Sequence, residues 1–193
     1  MEELIALLVE ALNDEWHAAL QYMIQASMVR GLLRDPIADH LKEHGDDEVG
    51  HAEQLAIHMY SRGIPVNIEV PPVSVPEKIP EMIQQDLNDE VAAIDRYARI
   101  IEMVEGNPQL ADTRMLIEDI LLAEVGHQDE AAAYLRARVA SREEAVGAAG
   151  ADLAIADQSD RLASIVWGGN PEAFVRRADF YTEEARRLTA AVA

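Results

Sequence analysis

The 193-residue chain carries 36 acidic against 16 basic side chains, a formal charge of −20, and no cysteine. That balance argues against nucleic acid or an anionic membrane surface as partner, and the missing thiols exclude disulfides, thiolate metal sites and iron–sulfur clusters. With 49% hydrophobic but only 5% aromatic residues, the chain can build one sizeable, mostly helical core with room for an appendage.

The first twenty residues, MEELIALLVEALNDEWHAAL, are interrupted by acids and lack a basic region ahead of the apolar ones. They read as neither a signal peptide nor a membrane span, and no later apolar run approaches spanning length. A soluble cytoplasmic protein is expected. Periodicity predicts a helix over 2–30 that ends near Gly31. A second is expected to start with Asp35 as cap and Pro36 in its first turn, and to run to about Arg62. Pro65, Pro71, Pro72, Pro76 and Pro80 then hold most of the next segment extended.

A third helix is predicted over 79–105, and Gly106, Asn107 and Pro108 supply a stop, a cap and a start for a fourth reaching about 141. Two hairpins with short connections, joined by one long crossover, make an all-α antiparallel four-helix bundle over residues 1–140. Residues 141–193 are expected to form a C-terminal helical extension. In it, SREEAVGAAGADLA reads as a loose Gly/Ala segment, followed by helices over 151–166 and 171–190. Trp167, beside GGNPEAF, reads as an anchor onto the bundle or another subunit.

The chain repeats itself. LNDEWHAALQY from Leu12 matches LNDEVAAIDRY from Leu87 at an offset of 75, and Glu-Val-Gly-His occurs at 48–51 and again at 124–127, an offset of 76. Helix one therefore corresponds to helix three, and helix two to helix four. On their apolar seams lie Leu12, Glu15, Ala19 and Tyr22; Leu87, Glu90, Ile94 and Tyr97; Leu41, His44, Glu48 and His51; and Ile117, Ile120, Glu124 and His127. Each seam is interrupted by a glutamate. In helices two and four a histidine one turn later shares its face.

Four carboxylates facing one another inside a bundle carry several kcal/mol of desolvation penalty apiece and repel as well. No position on these seams holds Arg or Lys. Two divalent metal ions would balance the four negative charges, with two imidazoles completing the coordination. One Glu-x-x-His is weak, since a solvated pair or a satisfied histidine explains most instances. Two copies on opposite hairpins, with Glu15 and Glu90 on matching seams, form a specific set. The competing reading is a duplicated bundle without metal that keeps paired, protonated carboxyls. Gly50 and Gly126 each cost about 1 kcal/mol in a helix interior, and close approach of a neighbouring helix is the expected compensation.

Over about residues 3–138 this pattern resembles the di-iron carboxylate signature of bacterioferritins and other ferritin-like proteins. The resemblance implies two iron ions, with manganese as an alternative. Glu15 and His51 would bind one ion, Glu90 and His127 the other, and Glu48 and Glu124 would bridge. Tyr22 matches a tyrosine these families keep beside the irons and joins the six as a candidate catalytic residue. The position of the bacterioferritin haem-ligand Met holds Val49, so no haem is expected. At the inner-surface iron site only Asp47 matches, with Glu43 in place of a His. Ala93 stands where rubrerythrins carry an extra glutamate, and the cysteine-ligated module of that family is absent.

The implied activity is oxidation of Fe(II) with O2 or H2O2 by a homo-oligomer, for iron storage or detoxification. A rubrerythrin-like peroxidase or small-molecule oxidase, and a non-catalytic metal-binding assembly module, are the alternatives. Tyr22 and Tyr97 read either as hydrogen-bond or electron donors or as core packing. His44 reads as solvated, with orientation of Glu48 as its alternative role. His40 is expected to face solvent, and His17 and His58 to be structural or surface residues.

Overall fold

A computed structural model describes residues 1–31, 34–138, 142–166 and 170–191. It contains helices α1 (Glu2–Met28), α2 (Arg34–Ser61), α3 (Ile79–Val104), α4 (Ala111–Ala137), α5 (Arg142–Ile165) and α6 (Pro171–Ala191), with a 3₁₀ turn at Pro108–Leu110. The expected antiparallel four-helix bundle with one long crossover and a C-terminal helical extension is what forms. α1 pairs with α2, α3 with α4, and the two hairpins face each other through α1 against α3 and α2 against α4. No helix among the described residues is long and apolar enough to cross a membrane.

Local chemistry accounts for the boundaries. α1 opens on Glu2 and Glu3, whose charge suits a helix N-terminus, and stops where Val29 turns extended and Gly31 takes a left-handed φ of 97°. Asp35 does not cap α2: the helix begins one residue earlier, and the Asp35 carboxylate accepts from Arg34 Nε at 2.7 Å. Pro36 does occupy the first turn. α2 ends in a Schellman arrangement, with Gly63 N–H on Tyr60 O and Ile64 N–H on Met59 O at 3.0 and 2.9 Å. The proline-rich crossover is extended, and Glu69 N–H pins it to Asn13 Oδ1 of α1 at 2.7 Å. Asn107 accepts from Gln109 N–H at 3.0 Å, capping the 3₁₀ turn ahead of α4.

The extension differs from expectation at its start. The Gly/Ala segment is not loose; it forms the first turns of α5, and Ala145, Ala148 and Ala149 are buried there. Alanine is the best helix former, and its small side chain lets helices approach closely, so packing outweighs Gly147 and Gly150. Trp167 lies outside the described residues.

α5 and α6 pair with each other and lie on the α3–α4 side of the bundle. Leu162, Val166 and Phe174 join the apolar core shared by all four bundle helices, while Ile155, Ala178 and Tyr181 join a second cluster. Polar contacts fix the register. Arg177 donates to Asp129 and Gln128 of α4 at 2.8 and 2.5 Å, Tyr181 Oη donates to Asp129 at 2.6 Å, and Gln158 Nε2 donates to Asp95 of α3 at 2.8 Å.

Candidate metal centre

The six seam residues meet in the middle of the bundle. Glu15, Glu48, His51, Glu90, Glu124 and His127 are all between 1% and 7% exposed. Their donor atoms form two groups, Glu15/Glu48/His51/Glu124 and Glu48/Glu90/Glu124/His127, each with one atom per residue within 4.8 Å of the others.

The two central carboxylates are split between these groups. Glu48 Oε2 and Glu124 Oε1 lie 3.0 and 2.9 Å from His51 Nδ1, while Glu48 Oε1 and Glu124 Oε2 each lie 3.3 Å from His127 Nδ1. Glu15 Oε2 completes the first group at 3.3 Å from His51 Nδ1, and Glu90 Oε1 the second at 3.8 Å from His127 Nδ1. Each half could hold one cation, with Glu48 and Glu124 offering an oxygen to both.

The tyrosines act crosswise. Tyr22 of α1 donates its hydroxyl to Glu90 Oε1 of α3 at 2.7 Å, and Tyr97 of α3 donates to Glu15 Oε1 of α1. A glutamate on each helix is thus oriented by the tyrosine of the other, leaving Glu15 Oε2 turned toward His51. Burial, followed by the charges of Glu90 and Glu15 respectively, pushes both phenols well above their ordinary range, so they remain hydroxyl donors at neutral pH.

Protons balance the cluster when cations do not. Burial, then the charge of Glu124, pushes Glu15 and Glu90 well above the carboxylate range, which favours a proton on each. Burial also pushes Glu48 and Glu124 upward, with each other's charge adding to the effect on Glu124. Hydrogen bonds from His127 and His51 outweigh this and hold both below the usual range. Burial disfavours the charged imidazoles, but Glu124 and its neighbours overcome it. His127 is raised to about 10, and His51 is raised as well. These directions favour protonated His51 and His127 facing the carboxylates of Glu48 and Glu124, with protons also drawn to Glu15 and Glu90.

Glu15 Oε2, Glu124 Oε1 and His127 Nδ1 are buried, and their close contacts across the cluster fall short of good hydrogen-bond geometry among the described residues. Protons alone leave this donor set incompletely satisfied. Carboxylate oxygens and imidazole nitrogens converging in pairs fit two divalent first-row cations.

The helix around the centre is shaped by a glycine that sequence reasoning did not single out. A Cβ at Gly45 of α2 would stand 3.3 Å from Tyr22 Cβ, so this residue lets α1 and Tyr22 come close. At Gly50 and Gly126, where close approach was expected, a Cβ would meet nothing within 4 Å. His44 is also not solvated. It is buried, stacks on His127 with ring centroids 4.1 Å apart, and places Nε2 3.1 Å from Glu130 Oε2. Burial, then the charges of His127 and His40, pushes His44 down to about 4, so this contact is a hydrogen bond from a neutral ring.

His40 is only partly solvent-facing, with Nε2 3.5 Å from Glu130 Oε2. His58 bonds Thr113 at 2.9 Å, and Asp47 Oδ2 stands 3.5 Å from His127 Nε2 while remaining exposed, as does Glu43. A third feature escaped the sequence reading. Gln25 and Gln21 of α1 donate to buried Asp86 of α3 at 2.6 and 3.0 Å; their four-residue spacing opposite an acid on an apolar stripe was the available signal.

Between α1 and α3 a cavity of about 310 Å3 reaches the centre, lined by Glu15, Glu48, Glu90, Glu124, Ala93 and Pro71 of the crossover.

Residues 5–139 match the model of the ferritin-like domain. A bacterioferritin of Streptomyces coelicolor is 30% identical over 128 residues, covering 66% of this chain and 76% of that protein. A crystal structure of ferritin-like, diiron-carboxylate proteins from Bacillus anthracis str. Ames superposes with a TM-score of 0.63 at 28% identity, over 67% of this chain and 93% of the other. Four helices that converge six such side chains, and the match across most of the chain, make this protein a member of the ferritin-like domain family.

Proposed function

We propose that the chain is a non-haem di-iron ferroxidase that oxidises Fe(II) with O2 or H2O2 for iron storage or detoxification. The observation that carries this reading is the split of Glu48 and Glu124, each with one oxygen in either half of the centre. Such an arrangement holds two ions close together at equal footing. Two Fe(II) ions bound as substrate each supply one electron, matching the two-electron reduction of O2 to hydrogen peroxide or of H2O2 to water.

The protein's own groups have distinct tasks. Glu15 with His51, and Glu90 with His127, would hold the two ions, while Glu48 and Glu124 lie between them. Tyr97 and Tyr22 keep the outer glutamates from turning away. Glu15, Glu90 and the two imidazolium rings give up their protons as cations arrive, so the site exchanges protons for metal and stays near neutral. The surrounding acidity, −20 over the chain, raises the local concentration of cations. Assembly into a homo-oligomer belongs to the same reading.

A peroxidase or small-molecule oxidase is the second reading. The cavity beside the centre favours it, because about 310 Å3 suffices for a small organic molecule. Adding Fe(II) in air and measuring the iron retained per chain separates the two. Many ions retained, with oxidation that needs no other reductant, supports the ferroxidase; two ions with reductant-dependent peroxide consumption supports the peroxidase. Absence of any oxidation sinks both. Light scattering on the eluting protein reports the assembly.

A further inference from the structure

We propose that His40, His44 and Glu130 form a separate site for a single divalent first-row metal ion, at the protein surface on the His127 side of the buried centre. His40 and His44 are one turn apart on α2, so their rings project from one face, and the centroids lie 4.2 Å apart. Glu130 reaches across from α4. Its Oε2 lies 3.1 Å from His44 Nε2 and 3.5 Å from His40 Nε2, and one donor atom from each residue falls within 4.8 Å of the others. Donors that share an ion at about 2.1 Å stand roughly 3.0–3.4 Å apart in octahedral or tetrahedral geometry. Two imidazoles and one carboxylate on one side, with solvent on the other, is the donor set of an open Zn(II), Fe(II) or Co(II) site.

A second observation points the same way. A cavity of about 40 Å3 lies behind these residues, lined by His40, His44, Glu130, Tyr22 and Asp86. Asp86 is 3% exposed, and its Oδ2 has no hydrogen-bond partner among the described residues, although Gln21 and Gln25 both bond Oδ1. The wall of the cavity thus carries a buried carboxyl with one oxygen short of a partner, a further acceptor beside the three donors.

The bundle does not require polar residues at these places. At the repeat offset of 76, His40 corresponds to Leu116, His44 to Ile120 and Glu130 to Gln54. The burial pattern is the same in both halves: partly buried, buried and exposed. Hydrocarbon serves at the two helix-facing positions in one half, and imidazoles stand there in the other. The site is therefore built on one side only, with His44 in ring contact with His127 of the centre.

The test uses the full chain with Zn(II) or Co(II) as probe. Anomalous diffraction from crystals of the unaltered protein should give a peak at coordination distance from His44 Nε2 and Glu130 Oε2. In solution, Glu130→Gln and His40→Ala should each bind about one ion fewer per chain, or bind that ion at least about tenfold more weakly. Absence of the peak, or unchanged stoichiometry and affinity in both variants, overturns the proposal. The buried centre reports separately in the same maps. Peaks only among the six central residues would overturn this site and leave the di-metal reading standing; a peak only at His44 would do the reverse.

Discussion

The two hairpins follow one pattern, yet among the described residues the C-terminal extension packs on only one of them. On α3–α4, Asp95, Gln128 and Asp129 bind the extension. Their counterparts on α1–α2 at offsets of 75 and 76 are Leu20, Ala52 and Glu53. Around Leu20 the uncovered face is apolar, with Leu20 40%, Met23 56% and Ile24 38% exposed. Inside, the halves are nearly interchangeable: each supplies one seam glutamate, one Glu-x-x-His and one tyrosine. The inner positions share a single charge-balance problem, whereas the outer positions answer to different neighbours. Similarity within the repeat thus marks the site, and dissimilarity marks what lies against it.

The strongest way to break the inner equivalence is to remove a shared carboxylate. Glu124→Ala strips an oxygen from both halves at once, so Fe(II) oxidation should fall by more than about 100-fold and binding of both ions should weaken together. Stopped-flow absorbance and metal analysis would reveal it. Loss of one ion alone would show that the halves are independent.

A pH series tests whether protons stand in for cations. Glu15, Glu90, His51 and His127 all have folded values above their unfolded ones, His127 at about 10. The folded, metal-free chain therefore holds protons that the unfolded chain has already lost. The histidine contribution is fully present below about pH 6.5 and fades as pH rises through about 10. The two raised acids lose ground from about pH 4.5 upward. Metal-free stability should fall by about 1.4 kcal/mol per pH unit for each excess proton. Denaturant midpoints on the alkaline side of neutrality should show this slope, and saturating divalent metal should flatten it.

On the outside, Asp129→Ala removes the acceptor of both Arg177 and Tyr181 and should destabilise by about 2 kcal/mol. Glu53→Ala, at the matching place on the open hairpin, should change stability by less than about 0.5 kcal/mol. Equal effects on the chemical-denaturation midpoint would mean that the extension adds nothing to the bundle. The smallest contrast concerns glycine. Gly126→Ala meets no neighbour and should stabilise α4 by up to about 1 kcal/mol. Gly45→Ala presses on Tyr22 and should destabilise by about the same amount, a difference thermal melts can read.

Much of this was legible from the residues. The helices, the crossover and the convergence of six side chains follow from an interrupted apolar periodicity repeated at a constant offset. What escaped depended on contacts that periodicity does not encode. His44 occupies a seam position whose mate is the buried Ile120, a hint of burial that its polar ring obscured. The contact that matters at Gly45 comes from another helix, and the glycines inside the conspicuous repeat have open space instead. α5 begins early because its alanines are buried against partners that a local reading cannot supply.

The crossed tyrosine hydroxyls carry a consequence for how such a centre is completed. Since the outer acid on either hairpin accepts its tyrosine hydroxyl from the opposite one, neither half is self-sufficient, even though each contains a full copy of the motif. On the proposed reading, docking of the hairpins and readiness to take up metal are one event, and a severed half should be an incompetent chelator until its complement returns.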